Sequence, residues 1–534
     1  MAITKRNILS LLLLLAVLTV SATEPVRPLC SSGRHPRHAA LLSKRAAGVS
    51  RSSAYVGEKR QLVLLANFSD RPFMDEDPLT LWTRIFNEEN LTEPPFYGSV
   101  RDYFLAQSYG NFDLSFDLYL ITPPQEHAAY RSGYIQGSSP DDTGSGLLLT
   151  EMLDAVKDDI PDWSVYDWDD DGNIEQVIIL YAGKGQSDTG DDSAIWPHQW
   201  RLSEQSEPPF NREWGHPYIV VSGEKEYSVD IYGAFPELNK EGNYGTFGTI
   251  CHEYTHCLGL PDFYYGVSTK VVGAWDLMDS GNYNMDGYCP PGYSAHERML
   301  LGWLDVTELT EPISITDMPA LAEQGEAYLI RNDGAPNEYY IIENRQPIGW
   351  DVSLPSSGVL IFHIDYDEDV WRYGLPNSSS LKRYTLFPAN NQAFANATYW
   401  KDWAYPYNGN DALTNESKPA AKLNNENTDG TKLMSKPVTG IAIHDGLASF
   451  DFMGGTTGIE NVNGNGNDNG NGNGNGNGNG NVNGSLAQAV YDMSGRLVIN
   501  GNGNGNGNVN GNGNRRGVYM VRDRNGKVKK VILR

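Results

Sequence analysis

Two histidines four residues apart are the first feature of this chain that could do chemistry. His252 and His256 stand in the run HEYTHCLGLPD, residues 252–262. On a helix that spacing puts both imidazoles on one face, about one turn apart, within reach of one ion. Glu253 follows the first histidine and is placed to act as general base on a zinc-activated water. Zinc suits such a set: three protein ligands and an open fourth position let it acidify water and polarise a scissile carbonyl. Gly259 would let the chain turn sharply out of the helix, and Pro261 stiffens the return. Asp262 then arrives as a third ligand. A bare His-Glu-x-x-His run arises by chance in roughly one chain of this length in a hundred, and the added Gly and Asp cut that by more than about a hundredfold.

A second carboxylate competes for the third place. Glu297, in SAHERMLLGW (294–303), sits on an expected downstream helix. The Gly259 turn makes sense only if the chain comes back to the metal, so Asp262 is preferred. Another acidic cluster lies upstream, in DWDDDGNIE (167–175). Asp167, Asp169 and Asp171 alternate ahead of Gly172, and Glu175 follows, as in the first half of an EF-hand loop. The twelfth position is Ile178 rather than Glu, so the loop is not a complete EF-hand. A solvated acidic turn is the bland alternative; this density of acids favours calcium, because a cation would offset their repulsion.

These residues need a scaffold. QLVLLANF (61–68) and QVIILYAG (176–183) are continuous apolar runs, as in buried strands, and NFDLSFDLYL (111–120) alternates as a strand does. Residues 99–109 and 145–158 have helical apolar spacing. Strands and helices alternate, which predicts an α/β (α+β) domain with a mixed sheet over residues 56–305. From about Asp305 short β-rich runs recur, among them EYYIIENRQ and GVLIFHIDYD, punctuated by Gly, Pro, Asn and Ser. They predict a β-sandwich-like subdomain over 306–453. Asn-Gly repeats dominate a linker at 454–485 and recur at 500–514, and such composition cannot bury apolar surface. AQAVYDMSGRLVI (487–499) and RRGVYMVRDRNGKVKKVILR (515–534) alternate in strand fashion and predict a small β C-terminal domain over 486–534, interrupted by the second tract.

The bulk composition narrows the classes. Across 534 residues the formal net charge is −26, which argues against nucleic acid as a partner. Lys5 and Arg6, the apolar stretch from Ile8 to Val20 and the small residues before Ala22 read as an export signal over 1–22. That stretch is too short for a comfortable membrane span and no later one is longer, so no transmembrane segment is expected in the mature form. Residues 23–55 are basic and irregular and read as a propeptide or leader. Cys30 lies there; it is either a stray thiol or one that could block zinc. Cys251, Cys257 and Cys289 lie near the proposed site, as a bracing pair or as buried thiols.

These features together resemble the immune inhibitor A-like family of secreted zinc metallopeptidases. The likeness runs over roughly 56–453, through SVRDYFLAQSYG (99–110), WDDDGNIEQVIILYAG (168–183), IWPHQW (195–200), the zinc motif, WDLMDSG (275–281) and LLGW (300–303). It implies a secreted endopeptidase acting on proteins or peptides, made as a zymogen and stabilised by calcium, with His252, His256 and Asp262 on zinc and Glu253 as base. In metzincin-like peptidases a methionine turn lies beneath the metal, and Met278 matches it as an apolar floor. Tyr283 would be the oxyanion donor if it is not simply packing. The tail resembles the C-terminal sorting domain of Bacteroidetes-type type IX secretion substrates, through AVYDMSGRLV (489–498), RRGVYMVR (515–522) and KVKKVILR (527–534). That implies secretion machinery as a partner and a secreted or cell-surface location, and a monomer is expected. The competing reading is a non-catalytic, surface-attached binding protein on a metallopeptidase scaffold.

Overall fold

The computed structural model describes residues 55–131, 143–204, 216–264, 270–323, 325–372, 374, 376–392 and 397–455, and four tail strands at 489–492, 497–500, 517–522 and 528–533. The expected export signal, the expected leader up to residue 54 with Cys30, and residues 456–485 and 501–514 of the Asn-Gly tracts fall outside the described residues. Met1–Ile459 and Glu460–Arg534 form two compact units.

The first unit is built on a five-stranded sheet. Its strands are β1 (Gly57–Ala66), β2 (Phe112–Ile121), β4 (Val177–Lys184), β5 (His198–Arg201) and β8 (Ile231–Leu238), in the order β2-β1-β4-β8-β5. All neighbours are parallel except β5, which runs antiparallel on the edge. Gln61 to Ala66 are all buried, the continuous burial expected where both faces of a parallel sheet are covered. Around it lie α1 (Pro78–Asn87), α2 (Val100–Gln107), α3 (Thr143–Val156), α4 (Phe247–Cys257) and α5 (Ala295–Leu300). Asp77 caps α1, and capping boxes from Ser99 with Asp102 and from Ser294 with Glu297 start α2 and α5. The acidic loop contains the first strand of a small sheet that sequence patterning did not foresee. Its strands are β3 (Asn173–Ile174), β6 (Tyr218–Ser222) and β7 (Lys225–Val229), in the order β3-β7-β6.

Between residues 305 and 455 the described residues form two further sheets. One contains β9 (Thr307–Glu308), β11 (Ala327–Arg331), β12 (Glu338–Arg345), β13 (Gly358–Asp365) and β14 (Tyr384–Leu386), ordered β14-β13-β12-β11-β9. The other contains β10 (Ile313–Met318), β15 (Val438–His444) and β16 (Leu447–Phe452), ordered β10-β16-β15. Strand periodicity divides the side chains of the five-stranded sheet between two cores. Tyr339, Ile341, Leu360, Phe362 and Ile364 join the core that contains α4. Tyr340, Ile342, Val359 and Ile361 join a second core with β10, β15 and β16. One face of this accessory sheet therefore leans on the elements that carry the zinc motif.

In the second unit, β17 (Ala489–Asp492), β18 (Leu497–Asn500), β19 (Gly517–Arg522) and β20 (Val528–Leu533) make an antiparallel sheet, ordered β18-β17-β19-β20. The two alternating stretches of the tail thus pair as one small β structure.

Candidate metal centre

The zinc motif sits on α4, which packs against β8, β5, α2 and the segment 281–287. Gly248 permits the last contact: a Cβ there would stand 2.0 Å from the Asn282 carbonyl oxygen. Past the C-terminal end of α4 the chain reverses at Gly259, whose φ of +90° is left-handed space that suits glycine. The Gly259 N–H donates to the His256 carbonyl at 2.8 Å. Three residues later Asp262 is back beside the helix.

His252, Glu253, His256 and Asp262 are all buried. His252 Nε2 lies 3.2 Å from Asp262 Oδ1, and His256 Nε2 lies 3.4 Å from the same oxygen. Ligands about 2.0–2.2 Å from one zinc in tetrahedral geometry stand about 3.3 Å apart, so these separations suit the metal. The outer ring nitrogens fix the tautomers. His252 Nδ1 is 2.8 Å from the Leu277 carbonyl oxygen, and His256 Nδ1 is 2.8 Å from that of Leu260. A carbonyl only accepts, so each Nδ1 carries a hydrogen and each Nε2 is the nitrogen aimed at the shared point, its lone pair available to a metal that displaces any proton there. Tyr264 donates its hydroxyl to Asp262 Oδ2 at 2.9 Å, which leaves Oδ1 for the histidines. Neither carboxylate oxygen of the fully buried Glu253 has a hydrogen-bond partner. An orphaned carboxylate next to two aimed imidazoles and an aspartate is a donor set that fits a dication and its water.

The electrostatics agree. Burial, with Asp262 adding to it and His256 opposing, pushes the Glu253 carboxyl up to about 8. Burial alone would depress the His256 imidazolium, but the Asp262 carboxylate outweighs it and lifts the pKa to about 9. Burial would raise Asp262, yet His256 and His252 hold it far below the usual carboxylate range.

Other sequence candidates fall into place around this group. Glu297 is spent on the α5 capping box, its Oε2 accepting from the Ser294 N–H at 2.6 Å, and it does not join the histidines. Met278 is fully buried, and its carbonyl accepts the Phe263 N–H at 2.8 Å, pinning the residue after Asp262. Tyr283 is 44% exposed on the segment packed against α4. Cys251, Cys257 and Cys289 are buried free thiols. Sequence reasoning missed the carbonyls of Leu277 and Leu260, and the Asp276 side chain, which holds the turn carrying Leu277 by accepting the Met278 N–H at 2.8 Å.

In the acidic loop, Asp167, Asp169 and Glu175 converge closely enough to share an ion. Asp171 does not join them. Its Oδ1 folds back to accept the Asn173 N–H at 2.8 Å, a local Asx turn that competes with any ligand role. Burial first, then Asp169 and Asp167, push Glu175 up to about 8.

The comparison with known families turns on this same stretch of chain. Residues 54–301 match the immune inhibitor A peptidase M6 catalytic domain. That peptidase-type span holds His252, Glu253, His256, Asp262 and Met278. The chain is 26% identical over 307 residues to immune inhibitor A of Bacillus thuringiensis subsp. alesti, covering 49% of this chain and 43% of that protein. It is 24% identical over 413 residues to the pre-pro-metalloprotease PrtV of Vibrio cholerae serotype O1, covering 66% of this chain and 41% of that protein. The chain thus spans about two fifths of the length of these curated relatives. No helix among the described residues is long and apolar enough to cross a membrane.

Proposed function

We propose that this chain is a zinc-dependent endopeptidase that hydrolyses peptide bonds in extracellular proteins. The observation that carries the reading is the convergence of His252 Nε2, His256 Nε2 and Asp262 Oδ1 beside a buried Glu253 with no other partner. Zinc, when bound, supplies Lewis-acid polarisation of the scissile carbonyl and acidifies water. Glu253, ionised beside the bound cation, would take the proton of the attacking water and pass it to the leaving amine. Leu277, Leu260 and Tyr264 orient the three ligands. The antiparallel edge strand β5, packed near α4, offers backbone groups along which an extended substrate can lie.

The same proposal includes calcium on Asp167, Asp169 and Glu175, an export signal at 1–22, a leader removed on activation, and a tail at 486–534 that engages a type IX secretion system. Glu253→Ala tests the core of it. The variant should retain zinc by mass spectrometry of the native protein and lose cleavage of casein; cleavage at the parent rate overturns the mechanism.

A further inference from the structure

The matched span ends at residue 301, yet residues that brace the backbone next to its candidate metal ligands come from strand β14 and the segment leading to it. Tyr384, on the edge strand β14, makes two contacts at once. Its ring stacks on Phe263, the residue after Asp262, with centroids 3.7 Å apart and planes 17° from parallel. Its hydroxyl donates to Asp276 Oδ2 at 2.8 Å and lies 2.9 Å from Ser294 Oγ. Asp276 shapes the turn that presents the Leu277 carbonyl to His252. Asn377 adds a third hold: its side-chain amide donates to the Phe263 carbonyl and to the Tyr384 carbonyl, each at 2.7 Å. All of these side chains are buried.

We infer that Tyr384 is a positioning residue of the metal centre, and that the accessory sheet is a working part of that centre. This rests on the zinc-peptidase reading above. Tyr384 touches neither reacting atoms nor metal. It fixes the backbone on both sides of the ligand set, holding Asp262 through Phe263 and His252 through Asp276 and Leu277. Two of the three ligands are thereby set by a residue that lies outside the matched span. Partners that orient metal ligands typically contribute about 10–100-fold to metal affinity when removed.

The test compares Tyr384→Phe with Tyr340→Phe in the full chain. Tyr340 is also buried and donates its hydroxyl to the Lys422 carbonyl at 2.7 Å, but it belongs to the second core, away from the ligands. Tyr384→Phe removes the hydroxyl contacts to Asp276 and Ser294 and Tyr340→Phe the one to Lys422, so a merely structural role would lower stability in both without singling out zinc affinity. Zinc affinity is read by competition with a chromophoric chelator, and kcat and KM with a peptide substrate. Tyr384→Phe should weaken zinc about tenfold or more and lower kcat with KM little changed, while Tyr340→Phe leaves zinc affinity as in the parent. Asn377→Ala should weaken zinc in the same direction, and serves if Tyr384→Phe does not fold. Parent-like zinc affinity in Tyr384→Phe, or an equal loss in both tyrosine variants, overturns the inference while the peptidase reading stands. Failure of the parent chain to bind zinc overturns both.

Discussion

At the scale of single residues, burial and the Asp262 charge raise the proton affinity of two side chains at this centre. His256 keeps its proton up to about pH 9 in the fold, against an ordinary value of 6.5, because Asp262 outweighs the cost of burial. Its contribution to stability is complete below about pH 6.5 and is lost as pH rises through about 9. Glu253 behaves in the same direction for a different reason. Buried, it stays neutral up to about 8, whereas in the unfolded chain it ionises at its ordinary 4.5. Through these two groups the folded state holds more protons than the unfolded one from about pH 4.5 to 9, and their contribution to stability falls as pH rises; the buried His127 and His296, depressed by desolvation, act the other way but only below about pH 6.5. The chelator-treated chain should show a melting temperature that declines between pH 6 and 9. Zinc affinity should climb over the same interval, because binding must displace the His256 proton. A melting temperature that is flat or rising across that interval in the metal-free protein would sink this account. The residues in question were legible in the sequence, since His252, Glu253, His256 and Asp262 carry their chemistry in their side chains and spacing. The acceptors of Leu277 and Leu260 were not, because a backbone carbonyl leaves no trace in residue type. Nor was the loss of Asp171 to an Asx turn, which depends on local backbone geometry.

At the scale of elements, α4 and the turn after it decide whether three ligands meet. The turn depends on Gly259, whose φ of +90° places any Cβ in conflict with the backbone. Gly259→Ala should cost about 1–2 kcal/mol of stability in a urea melt. It should also weaken zinc, since the chain that returns Asp262 to the histidines is displaced. A variant with parent-like zinc affinity would show that Asp262 finds its place without the turn. The elements that frame this site were readable where they are long. The apolar run at 61–68 surfaced as β1 at 57–66, and the helical spacing at 145–158 as α3 at 143–156. Elements of low periodicity were not readable. The β3-β7-β6 sheet begins with a two-residue strand, and the segment 281–287 that packs on α4 contains Met285 and Asp286 at positive φ. Their shape follows from what they pack against rather than from their own pattern.

At the scale of the whole first unit, the accessory sheet is bolted to the part that carries the candidate metal centre by a buried charge cluster. Arg345 on β12 is fully buried; its Nε and Nη2 each reach Asp351 at 2.7 Å, and its Nη1 reaches Glu343 at 3.0 Å. The same guanidinium donates to the Gly292 carbonyl at 2.8 Å. The two carboxylates in turn accept backbone N–H groups from across the boundary, Asp351 from Gly292 and Glu343 from Ala295 at the start of α5. Trp350, one residue before Asp351, stacks on Phe247 at the first turn of α4, with centroids 5.6 Å apart and planes 7° from parallel. Such a cluster adds little when whole, but removing one partner strands the rest without solvent. Arg345→Met should leave Glu343 and Asp351 facing each other in the core and cost about 3–5 kcal/mol. Replacing all three charges together with neutral residues of similar volume should cost less than the single change, because no unpaired charge remains. Urea denaturation followed by tryptophan fluorescence and by far-ultraviolet circular dichroism measures both. In the parent the two signals should fall together if the two parts of this unit share one core. A single variant that loses less than about 1 kcal/mol would mean that the carboxylates find other cations or water. Separate transitions for the accessory sheet and the peptidase part would mean that the cluster joins two independently stable bodies, and the dependence of the metal centre on Tyr384 would then have to survive partial unfolding of the sheet that carries it.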